Sequence, residues 1–88
     1  MKKNISVSTI NALLEDRKKD FNHFMEKGEY AIANGLRHEA MGIIQVLYMS
    51  LSYNDYNDPI KFHDFYEEKM DGLEKSADMI KWELDHLR

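Results

Sequence analysis

Residues 29–53, EYAIANGLRHEAMGIIQVLYMSLSY, decide the fold of this chain. Ala33, Leu36, Ala40, Ile43 and Leu47 recur at steps of three and four, the spacing that lines up one face of an α-helix. Ile32, Ile44, Val46, Tyr48 and Leu51 fall elsewhere around the same helix, so its second half is apolar on nearly every side and must be covered from several directions. The uncharged run within it ends at Asn54, too short for the roughly 20 residues that span a bilayer, and reads as a buried core helix rather than a membrane segment. Gly35 and Gly42 lie seven apart on one face, each costing about 1 kcal/mol relative to alanine in a helix interior. They are expected to act as notches that receive large side chains from a neighbouring helix.

That neighbour lies upstream. Ser8 is a candidate N-cap, and Ile10, Leu13, Leu14, Phe21, Phe24 and Met25 form an apolar stripe behind it. Gly28 is placed to end this helix in a left-handed residue, and Glu29 suits the positive end of the next helix. A turn this short makes the two helices antiparallel neighbours. Centring it on Gly28 sets Phe21 over Gly35 and Leu14 over Gly42, and brings Arg17 to Glu39 as a partly buried ion pair.

Downstream, Tyr53-Asn54-Asp55-Tyr56-Asn57-Asp58-Pro59 is dense in turn formers, and Asp58 with Pro59 supplies an N-cap and a first-turn proline. A third helix is expected over 59–88. Its seam, His63, Tyr66, Met70, Leu73, Ala77, Ile80, Leu84 and Leu87, alternates steps of three and four in a heptad pattern, with Glu67, Glu74 and Lys81 beside it. Such a helix would extend roughly 45 Å at about 1.5 Å per residue, longer than the first helix covers. The expected architecture is therefore all-α: an antiparallel three-helix bundle (about 9–27, 29–53 and 59–88) in a single domain over 1–88, assembled as a homodimer or higher oligomer.

Composition narrows the function. The 88 residues are 43% apolar and 32% charged, the balance of one folded soluble domain, and the absence of cysteine excludes disulfide scaffolds, thiolate metal sites and thiol nucleophiles. A net charge of −4, with Arg17-Lys18-Lys19 offset by Glu15, Asp16 and Asp20, disfavours nucleic acid as a partner. Met1-Lys2-Lys3 continues into Asn4-Ile5-Ser6-Val7-Ser8 without the apolar core of a secretory signal, so a cytoplasmic location is expected, with no membrane partner. Of the histidines at 23, 38, 63 and 86, two have an acid three residues earlier, Asp20 and Glu83, but Glu83 and His86 fall off the seam and no second Glu-x-x-His accompanies them. No metal, phosphate loop, EF-hand or nucleophile-and-base pair is indicated, so no cofactor and no catalytic residue is expected.

What remains is apolar surface. Trp82 and Met79 lie off the seam, with Phe62 and Phe65 near its other end, and aromatic residues and methionine are enriched where proteins meet. The expected interface comprises Phe62, Phe65, Tyr66, Leu73, Met79, Ile80, Trp82, Leu84 and His86, together with the apolar half of the second helix, whose coverage self-association would complete. The chain reads as a non-catalytic regulator, inhibitor or assembly factor that binds itself and another protein. Its richness in Lys, Asn, Ile and Asp, with arginine only at 17, 37 and 88, fits a phage or mobile-element gene. The alternative reading is a small-ligand or nucleotide sponge using Arg17, Arg37, His38 and Tyr48 at a subunit interface.

Overall fold

A computed structural model describes residues 6–51 and 58–86, so the expected turn at 53–57 and the last seam residue, Leu87, lie outside the described residues. Four α-helices follow one another: α1 (Val7–Glu26), α2 (Tyr30–Leu51), α3 (Pro59–Lys69) and α4 (Ala77–His86), with no strand among the described residues.

The first helix begins earlier than its apolar stripe suggests. Ser6, not Ser8, is the N-cap, its Oγ accepting the Thr9 amide at 3.2 Å and lying 2.8 Å from the Thr9 hydroxyl. The two extra residues add Val7 to the face that carries Ile10 and Leu14, and Val7 packs on the core. At the other end Gly28 adopts φ +72°, the Gly28 amide donates to the Met25 carbonyl and the Glu29 amide to the Phe24 carbonyl. This pair of bonds is a Schellman closure, and it reverses the chain so that α2 runs back along α1.

The register of that pair follows the sequence reading: Arg17 meets Glu39, their Nε and Oε2 atoms 2.8 Å apart, and Ile10 and Leu13 share a groove with Ile43 and Val46. The role given to the glycines does not hold. Gly35 and Gly42 are exposed, and a Cβ on either would have nothing within 4 Å. The small residues inside the core are instead Ala33 and Ala40, also seven apart and fully buried among Ile10, Leu14, Phe21, Ile44 and Leu47. Each glycine lies two positions from one of these alanines, a rotation of roughly 200° about the axis, which turns it outward.

The expected third helix is two helices. Asp58 caps α3 by accepting the Ile60 and Lys61 amides, and Pro59 opens its first turn, as read from sequence. The heptad seam then breaks at residues 70–76. Gly72 takes φ +89°, the Leu73 amide donates to the Met70 carbonyl, and Ser76 Oγ accepts the Met79 amide to start α4. Two outside contacts hold this turn: Arg37 Nε donates to the Leu73 carbonyl at 2.8 Å, and Asn22 Nδ2 to the Gly72 carbonyl at 3.4 Å. The break lets Leu73 enter the core and re-phases α4, so that Met79 is fully buried while Ile80 and Leu84, its expected seam residues, are exposed. A continuous helix would point Leu73 and Met79 about 120° apart around its axis, since six residues advance about 600°, so the bend is what brings both into the core.

The α3–α4 unit nevertheless fills the place of the third bundle member. Tyr48 near the end of α2 meets Phe62 and Phe65, Arg37 in its middle meets Leu73, and Tyr30 at its start meets Trp82. The second half of the chain thus runs antiparallel to α2 with a bend at Gly72.

These glycine environments predict opposite outcomes. Gly35→Ala should stabilise the dilute protein by about 1 kcal/mol through helix propensity. Gly72→Ala should destabilise it by about 1 to 2 kcal/mol, because the left-handed conformation is strained for a residue with a Cβ. Urea denaturation at low protein concentration reads both.

Candidate functional site

An open groove of about 560 Å³ lies between α1 and α2, lined by Ile10, Leu13, Arg17, Glu39, Gly42, Ile43 and Val46. It exists because the two helices meet along Ile10, Leu14, Ala33, Ala40 and Ile44, while Gly42 supplies no side chain to fill the outer edge. The walls are apolar apart from the Arg17–Glu39 pair. That contact is ionic rather than an aligned hydrogen bond: Arg17 Nε is buried yet has no hydrogen-bond partner, despite the 2.8 Å separation from Glu39.

The groove continues along the outside of α2. Ile32, Gly35, Glu39, Gly42, Val46 and Met49 follow one another at steps of three and four, and all six are exposed. Ile32, Val46 and Met49 each leave about half of their surface open to solvent (48%, 51% and 46%). This second stripe lies on the side of α2 away from α3 and α4; in sequence only the apolar second half of the helix stands out as an association surface, because two glycines and a glutamate interrupt the stripe. The three-four spacing from Ile32 to Met49 was the available signal.

The residues expected at an interface divide into three groups. Leu73 and Met79 are fully enclosed by their own chain. Phe62, Phe65 and Tyr66 are half-buried: Phe62 and Phe65 hold their ring centroids 5.1 Å from that of Tyr48, and Phe62 lies 5.8 Å from Tyr66. Rings in these tilted and edge-on arrangements add about 0.5 to 1.5 kcal/mol per pair to simple burial, so the cluster joins α3 to α2. Ile80, Leu84 and His86 are exposed and Trp82 is half-buried, its ring 4.5 Å from the His86 imidazole and 6.5 Å from Tyr30.

Trp82 and His86 also border a smaller recess of about 340 Å³, with Asn34, His38, Lys75 and Glu83. Its charges are paired internally, Lys75 Nζ lying 2.8 Å from Glu83 Oε2, while His86 Nδ1 lies 2.8 Å from the Trp82 carbonyl. The residues named for a ligand do not converge. Arg17 belongs to the α1–α2 groove, His38 to the Trp82 recess, Tyr48 to the core, and Arg37 is held by the Leu73 carbonyl. Tyr66 lines a third hollow with Arg37, about 190 Å³, but Glu67 and Glu74 share it. Among the described residues no three His, Cys, Asp or Glu side chains gather as metal ligands, and no helix is long and apolar enough to cross a membrane.

Arg37 as a strut predicts a stability effect. Arg37→Ala should lower unfolding free energy by about 1.5 to 3 kcal/mol, the range for a hydrogen bond from a charged group. An arginine reserved for a ligand would leave the urea midpoint unchanged.

No known protein family matches the chain, and neither a curated protein nor a solved structure is similar to it.

Proposed function

We propose that this chain is a non-catalytic interaction protein, an inhibitor, regulator or assembly factor of the cytoplasm, acting through the α1–α2 groove and the exposed stripe of α2. One observation carries the reading: a chain this small leaves Leu13, Ile32, Val46, Met49 and Leu51 each 40% or more exposed on or beside its central helix pair. Single exposed apolar residues are ordinary on a soluble surface, but several along one helix face bordering an unfilled apolar groove support a reading in which another protein binds there. A helix laid into such a groove is a recurrent mode of recognition.

The same reasoning shifts the weight of the proposed surface from the C-terminal helix to α2. Two of the nine residues expected on the C-terminal helix are core, three are occupied with Tyr48 or one another, and only Ile80, Trp82, Leu84 and His86 remain as a secondary patch. A ligand sponge has less support, since its arginines and tyrosine are engaged in holding the fold. Phage or mobile-element origin rests on composition alone.

Site-specific photo-crosslinking in the producing cell tests the reading. A photoreactive residue at Val46 or Leu13 should form a discrete adduct with another protein, while the same group at exposed Lys61 on α3 should not. Equal labelling from all three positions, or none from Val46 and Leu13, would remove its support.

A further inference from the structure

We infer that the occupant of the exposed α2 stripe is a second copy of this chain, its α2 crossing antiparallel about a two-fold axis between Glu39 and Gly42. The inference rests on the interaction reading above and gives that surface its partner and register.

Two observations carry it. The first is shape. When the stripe is laid against its own reverse, Ile32 faces Met49 of the second copy, Gly35 faces Val46, and Glu39 faces Gly42. Each valine meets a notch where a Cβ would find nothing within 4 Å, and the long apolar residues meet at the ends. A parallel pairing would set Gly35 on Gly35, Val46 on Val46 and Glu39 directly on Glu39, with no knob entering a hole and two like charges opposed. The exposed glycines, each unfavourable within its own helix, acquire a purpose only in the antiparallel arrangement.

The second is charge. Arg17 lines the same groove as Gly42, and its ion pair with Glu39 leaves the guanidinium side chain 32% and the carboxylate side chain 60% exposed. The antiparallel register carries Glu39 of the second copy over Gly42, toward the exposed part of that guanidinium. Two arginines and two glutamates then gather around the axis without net charge, each pair related to the other by the two-fold.

The chain has no cysteine, so introduced ones report cleanly. Ile32→Cys and Met49→Cys proteins, oxidised separately, should stay uncrosslinked, because like residues lie about 25 Å apart along the antiparallel pair. Mixed, they should form a disulfide dimer. Light scattering should give twice 10.4 kDa for the natural chain at high concentration. Gly42→Leu should weaken association roughly ten- to hundredfold by blocking the crossing, yet raise or preserve the melting temperature of the dilute chain.

A monomer at near-millimolar concentration would overturn the inference, as would crosslinking of either single variant faster than the mixture, or a dimer indifferent to Gly42→Leu. A monomer whose Val46 still photo-crosslinks to a different protein would leave the interaction reading standing and remove the second copy as its occupant.

Discussion

Burial of Ala33, Ala40, Ile44 and Leu47 along one side of α2 is the constraint on which the rest of the structure depends. These residues, together with Tyr48, require two neighbours, and the chain supplies α1 on one flank and the α3–α4 unit on the other. Two flanks do not surround a helix whose second half is apolar nearly all round. The side of α2 carrying Ile32, Val46 and Met49 is left to solvent, with an unfilled groove at its border. The surface assigned a function thus arises from the same sequence feature that organises the core: α2 has more apolar side chain than its own chain can enclose.

The bend at Gly72 matters for the same reason. A straight third helix would present one continuous seam, whereas the broken one sends Leu73 inward beneath Arg37 and turns Met79 into the core. Arg37 thereby becomes part of the framework. With Arg17 held beside Glu39 and Lys75 beside Glu83, many of the polar groups that drew notice as chemistry are engaged in keeping helices in position.

Much of the fold was legible in the sequence. The helical periods, the Schellman glycine at 28, the Asp58-Pro59 start and the Arg17–Glu39 register all follow from local rules or from a turn too short to permit another arrangement. The errors share a cause. At Gly72 an apolar alternation of three and four outweighed an Asp-Gly stop and a following Ser76 cap, because periodicity counts residues and does not register the left-handed residue that resets the phase. At Gly35 and Gly42 the register was right and the rotation wrong: a register fixes which turns are opposite, while the facing side is set by which neighbours are buried, and Ala33 and Ala40 hold that place. The candidate surface was the hardest part to read, since Glu39 and two glycines make an outward stripe look polar in sequence although they share a face with Ile32, Val46 and Met49.

The most direct test of the open face of α2 is an NMR dilution series on the ¹⁵N-labelled natural chain. The account predicts concentration-dependent amide shifts at Ile32, Gly35, Glu39, Gly42, Val46 and Met49, with Leu13 and Arg17 moving in parallel and α4 unchanged. Shifts confined to Ile80, Trp82 and Leu84, or a spectrum independent of concentration, would contradict it.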